Sequence, residues 1–272
     1  METISIVLLS VVILLAAILY SSVGHGGASA YLAAMALFGV TPSIMKPTAL
    51  ILNTFVSGIG TFSYYRAGAF SWSVFWPFAV GSIPLALLAS TLQINHLIYK
   101  IILGAILVFT GCWLCFHKKK TNVPVKKGSV FLQIVLGAAI GFVAGLTGIG
   151  GGVLLSPMLI LAHWADPKQT SGIAAGFILV NSVAGIFGHL STFKMPPSYI
   201  WFWVVAAVVG GIIGSYLGSK RLTGSGIKKV LAVILLCAGG QLIGMSVYKL
   251  IKKELSAALE SVLMFEAPRL FW

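Results

Sequence analysis

The chain has 272 residues, 58% of them hydrophobic and only 8% charged, with a mean hydropathy of +1.02. Soluble domains carry roughly 25% charged residues, so this composition excludes a water-facing surface. The net charge of +13 does not indicate nucleic-acid binding, because the basic residues sit in connecting segments and not along one stripe. Lysine-rich cytoplasmic loops account for the same number.

Apolar runs of about 20 residues match the length a helix needs to cross roughly 30 Å of hydrocarbon. The pattern predicts an all-α, polytopic membrane helix bundle. A first helix is expected over 4–22, a short apolar piece over 28–39, and helices over 44–65, 72–91 and 97–116. Residues 117–128 form a basic, cytoplasmic linker. A second series follows: a helix over 129–147, a short piece over 152–163, and helices over 168–191, 199–218 and 227–248. Residues 249–272 read as a tail with an interfacial helix, since Leu255, Leu259, Val262 and Leu263 recur at helical spacing beside charges. The N-terminus opens with Glu2 and has no basic n-region, so it is not read as a signal peptide. Cys112, Cys115 and Cys237 read as small apolar helix residues, with no disulfide, metal or cofactor implied.

The two series look like a duplication, residues 1–116 and 129–248. Val23-Gly24-His25-Gly26-Gly27-Ala28 in the first corresponds to Thr147-Gly148-Ile149-Gly150-Gly151-Gly152 in the second. Asn53 and Gly60 recur as Asn181 and Gly188 at the same spacing. The short pieces are too brief to span alone. Treated as re-entrant, they give four spans per half and parallel halves; treated as crossings, they give five spans and inverted halves. The lysine and arginine distribution does not separate the two, and length favours four spans plus a re-entrant piece.

Glycines at this density let a membrane helix break. A break is tolerated only where it is buried in protein or lines a cavity, and paired breaks in two halves point to a central substrate site. Helix N-termini there aim N–H groups and partial positive charge inward, which favours an anion. The five acids, Glu2, Asp166, Glu254, Glu260 and Glu266, all fall outside the predicted membrane helices. Cation carriers and proton pumps generally need an intramembrane carboxylate, so a cation substrate is disfavoured.

The candidate binding residues are therefore Gly24, His25, Gly26, Gly27, Ser29, Asn53, Thr147, Gly148, Gly150, Gly151, Gly152, Asn181 and His189. His25 and His189 can donate to an anion or carry a proton. Against this stand ordinary structural roles: glycines for close packing, Asn53 and Asn181 as helix-to-helix hydrogen bonds, histidines bonded to backbone. Lys46 and Lys168 could draw anions to an entrance or be solvated loop lysines. A serine hydrolase built on Ser29 and His189 is a remote alternative; a passive channel or non-transporting scaffold is a nearer one.

The run Gly148-Ile149-Gly150-Gly151-Gly152-Val153-Leu154-Leu155-Ser156-Pro157, with its weaker copy Gly24-His25-Gly26-Gly27, resembles the TauE/SafE family of membrane permeases. The paired asparagine helices and the basic central linker fit the same family, over roughly residues 4–248. The resemblance implies a duplicated helical architecture in a bacterial inner membrane, no enzymatic activity, and movement, in a direction it does not fix, of a small sulfur-containing anion such as sulfite or an organosulfur acid. The expected partners are that anion, the bilayer and, in an assembly, further copies of the chain; the missing intramembrane carboxylates make His25 the candidate carrier of a coupling proton.

Overall fold

A computed structural model describes residues 3–92, 126, 128–189 and 197–223, with scattered helical positions at 104–112 and 225–251. The expected helices over 97–116 and 227–248 lie largely outside the described residues, and so do most of the 117–128 linker and the 249–272 tail.

Every regular element among the described residues is helical: α1 (Thr3–Ser21), α2 (Ala28–Leu37), α3 (Pro42–Arg66), α4 (Trp72–Ser90), α5 (Val130–Thr147), α6 (Gly152–Leu161), α7 (Pro167–His189) and α8 (Ile200–Tyr216). A π-helical turn, Leu217–Arg221, extends α8. Five of these helices, α1, α4, α5, α7 and α8 with its π turn, are long and apolar enough to cross a membrane. α3 has 25 residues, ample for a span, but carries Lys46, Asn53, Thr54, Ser57 and Thr61. The apolar faces are sorted. α1 buries Leu9, Ile13 and Ala17 and exposes Val7, Leu8, Val11, Leu15 and Leu19. Such an exposed stripe suits hydrocarbon, where leucine is at home and protein contact needs close backbone approach instead.

That approach is made by glycines four residues apart. On α5, Gly137, Gly141 and Gly145 rest on the backbone at Phe78, Ser82 and Ala86 of α4. On α8 and its extension, Gly210, Gly214 and Gly218 rest on Leu14, Ile18 and Ser22. Numbers rise together in both pairs, so α4 runs parallel to α5 and α1 parallel to α8. Between α3 and α7 they oppose: Gly185 meets Leu50, Gly60 meets Ala175, and Gly172 meets Tyr64. α8 follows α3, with Gly211 at Val56 and the Ser63 and Ser215 hydroxyls 3.0 Å apart. α7 follows α4, with Gly176 at Phe75 and Gly188 at Leu87.

These registers give every helix a direction. α1, α3 and α8 run one way; α4, α5 and α7 run the other. α1 is thus opposed to α5, α3 to α7, and α4 to α8. This differs from the parallel arrangement that helix length favoured. The reason lies in residues 22–41. α1 and α3 point the same way, so this segment must carry the chain back. Ser22 accepts from the Tyr64 hydroxyl at 2.7 Å near the end of α3, while Gly26 lies against Asn53. Tyr64 and Asn53 are about 16 Å apart along α3 at 1.5 Å per residue. The non-helical residues before α2 therefore climb part of the layer, and α2, about 15 Å long, covers most of the rest. Length alone misjudged the short helix because the extended residues ahead of it share the crossing.

Candidate functional site

Each break begins where a long helix stops on glycine. Gly24 and Gly148 adopt φ values of 76° and 73°, and Gly27 and Gly151 adopt 93° and 75°. Side chains rarely adopt this left-handed region. Gly148 also accepts the closing role at the end of α5, its N–H bonded to the Ala144 carbonyl at 2.8 Å. Thr147, expected as a ligand, spends its hydroxyl on the Val143 carbonyl at 2.9 Å and accepts from the Ile149 N–H at 3.3 Å. It stabilises the break.

α2 leads away from its break toward the start of α3. α6 leads away toward the start of α5, where Trp164 stacks 6.1 Å from Phe78 and His163 accepts from the Lys126 N–H. The two short helices therefore diverge from a common centre, with their N-termini facing each other. The common centre is Asn53. A methyl group added to Gly26 would strike the Asn53 side-chain oxygen, and one added to Gly150 would lie 3.2 Å from Asn53 Nδ2 and 2.8 Å from Ile178. Asn53 is fully buried; its Nδ2 reaches the Ile149 carbonyl at a long 3.5 Å, and its Oδ1 has no partner among the described residues. α6 starts after Gly151 with no side-chain cap, so its first N–H groups face this centre without intrahelical partners.

His25 reaches across the centre. Its Nε2 lies 2.8 Å from the Ser156 hydroxyl on α6, both residues are buried, and its Nδ1 is unpartnered. Ser156 is the one polar side chain of α6; that lone hydroxyl beside Pro157 was the signal sequence reasoning passed over. Ser29 donates to the Tyr20 hydroxyl at 2.9 Å and is not paired with a histidine. Asn181, the counterpart of Asn53, turns back on its own helix, with Nδ2 on the Phe177 carbonyl at 2.8 Å. The His189 side chain lies outside the described residues. Lys46 donates to the Leu146 carbonyl at 3.3 Å and its stem covers Gly148, so it caps the end of α5. Asp166 caps α7, its carboxylate accepting from the Lys168 and Gln169 N–H groups at 2.8 and 3.0 Å. Lys168 thus joins that cap through its backbone.

The centre thus gathers Gly26, Gly27, Gly150, Gly151 and Gly152 with His25, Ser156 and Asn53. It leaves Ser29, Thr147 and Asn181 in local hydrogen bonds. Backbone N–H groups, an imidazole, a hydroxyl and an amide form a polar cluster with no carboxylate among the described residues. Such a set can hold an acceptor-rich ligand in a dry surrounding.

Apolar crossing helices wrapped around two buried breaks are the build of a polytopic α-helical membrane protein. A family model described as sulfite exporter TauE/SafE matches residues 9–242, and the chain belongs to that family. It is similar to the "probable membrane transporter protein y4hK" of Sinorhizobium fredii, with 35% identity over 86% of this chain and 97% of that protein. It is also similar to the "probable membrane transporter proteins" YjnA and YunE of Bacillus subtilis. YjnA is 29% identical over 81% of this chain and 92% of its own length, and YunE 22% over 88% and 97%. No solved structure matches. Family and relatives together make this chain a multi-pass membrane transporter of a small molecule.

Proposed function

We propose that the protein is a secondary transporter of a small oxyanion, sulfite or an organosulfur acid, working by alternating access at the meeting point of α2 and α6. The observation that carries the reading is the convergence of two short-helix N-termini on Asn53, from opposite sides of the layer. Helix N-termini attract negative charge through their free N–H groups and the aligned peptide dipoles. The TauE/SafE description supports sulfur oxyanions as the substrate class. Residues 3–90 and 130–216 act as two inverted repeats, as the opposed directions of α1 and α5, α3 and α7, and α4 and α8 suggest. Inverted repeats commonly alternate access by rocking about a fixed central site. The centre is fully buried, with His25 and Asn53 at 1% and 0% exposure, so the conformation described is closed to both sides.

His25 is the group in the centre able to carry a proton, and proton coupling through it is part of the proposal, as is a bacterial inner-membrane location. Sulfite-driven pH change in liposomes checks the coupling: His25→Ala abolishes it, and an unchanged response in a folded His25→Ala protein rules it out. The substrate class is tested by thermal stabilisation of the purified protein with sulfite, thiosulfate, sulfate, sulfoacetate and simple carboxylates. At a hundredfold excess over Kd, a bound anion adds about 2.7 kcal/mol to stability. A shift with one of the sulfur oxyanions supports the reading; no shift with any anion contradicts it.

A further inference from the structure

The geometry points to Ser156 as a substrate-binding and selectivity residue that works with His25 as one hydrogen-bond donor unit toward an oxyanion oxygen. The inference rests on the anion-site reading above and deepens it. It follows from counting hydrogens. A neutral histidine and a serine carry two polar hydrogens, one on the ring and one on the hydroxyl. The pair makes one contact, His25 Nε2 to Ser156 Oγ at 2.8 Å, across 131 positions of sequence.

Two arrangements are open to it. If the hydroxyl donates to Nε2, the ring hydrogen is on Nδ1, which is buried and unpartnered. If the ring hydrogen is on Nε2, it goes to the hydroxyl oxygen, and the serine hydrogen then has no acceptor among the described residues. Either tautomer leaves one buried donor hydrogen unused. A buried donor without an acceptor is costly, and an arriving oxyanion removes that cost. A cation or an apolar solute does not.

Position agrees with this count. His25 belongs to the break before α2 and Ser156 to the first turns of α6, so the pair bridges the two helix starts beside Asn53. Asn53 Nδ2, with its single long contact to Ile149, adds a further donor. One ligand oxygen at the His25–Ser156 pair and another at Asn53 would tie both breaks to the same molecule. This makes Ser156 more than helix filling: it sets how many oxygens the substrate must offer.

The test is thermal stabilisation by sodium sulfite of wild type, Ser156→Ala and Ser156→Cys, with the sulfite titration giving an apparent Kd. Ser156→Ala also removes the one contact to His25, so a modest fall in ligand-free Tm accompanies either role, and the sulfite affinity of the folded variant is the deciding readout. The apparent Kd should weaken about ten- to a hundredfold in Ser156→Ala, the range expected for losing a hydrogen bond to a charged group, and by less in Ser156→Cys, whose thiol is a weak donor. A purely structural role gives a different pattern: sulfite affinity stays at the wild-type value in whichever of the two variants folds, and that result overturns the inference. Unweakened sulfite binding by folded Ser156→Ala overturns this inference alone, while no sulfite stabilisation of wild type overturns the anion-site reading beneath it.

Discussion

Asn53 and Asn181 show how far residue-level reading reaches. Both sit mid-helix at matching spacing, and sequence gives them equal standing. Both side-chain oxygens lack a partner among the described residues, but the structure gives the amides different work: Asn53 lies between the breaks with its Nδ2 toward Ile149 of the other break, and Asn181 bonds to Phe177 of its own helix. Asn53→Ala should weaken apparent sulfite affinity about ten- to a hundredfold. Asn181→Ala should cost only about 0.5–1.5 kcal/mol of stability and leave affinity near wild type. Equal losses of affinity in sulfite titrations would refute the asymmetry. The glycine breaks were legible because few other residue types adopt such backbone, and four left-handed glycines fall in the two clusters at Gly24, Gly27, Gly148 and Gly151. The His25–Ser156 and Ser29–Tyr20 partnerships were not, because a hydroxyl in an apolar run carries no mark of what it faces. Asp166 is a simpler case. Its capping role predicts a loss of about 1 kcal/mol in Asp166→Ala, read in thermal unfolding, with transport per folded molecule unchanged.

At the level of elements, the existence of helices was legible from hydropathy, and their seams were not. The seams are made by glycine against backbone, α5 on α4 and α8 on α1, and glycine is too common in this chain to reveal which copies are in contact. The distinction is testable. Gly141 rests on the Ser82 backbone, while Gly68, at φ +70°, has nothing within 4 Å of where a Cβ would stand. Gly68→Ala should cost only the backbone term, about 1–2 kcal/mol. Gly141→Leu should force α4 from α5 and sharply reduce folded yield, because backbone atoms cannot move aside as a flexible side chain can. Fluorescence-detected size exclusion reads both; a Gly141→Leu protein with wild-type yield and Tm would contradict the packing described. The short helices were legible as interruptions, but their sense was hidden. That sense depends on the extended residues before α2, which have no length signature of their own.

For the whole molecule, the unresolved choice in sequence was between parallel and inverted halves, since basic residues balance under either. Helix registers decide the directions of the described helices: α1 and α5 are antiparallel, so Thr3 and Ser129 open toward opposite faces. Single cysteines at Thr3 and at Ser129, on a background with Cys112, Cys115 and Cys237 replaced, should therefore label from opposite sides of oriented vesicles with an impermeant thiol reagent. Labelling of both from one side would contradict the helix directions. The opposed directions of α1 and α5, and of α3 and α7, also let α2 and α6 meet N-terminus to N-terminus. The central polar cluster is thus a property of the whole fold, assembled from residues more than 100 positions apart such as His25 and Ser156.

The central claim is that an oxyanion passes through the point where α2 and α6 converge on Asn53. Counterflow of labelled sulfite in proteoliposomes tests it most directly, comparing wild type with folded Asn53→Ala. Wild type should transiently accumulate label against unlabelled internal sulfite, and Asn53→Ala should lose that accumulation at the same sulfite concentration. Sulfite counterflow by Asn53→Ala at the wild-type rate, or none by wild type, would contradict it.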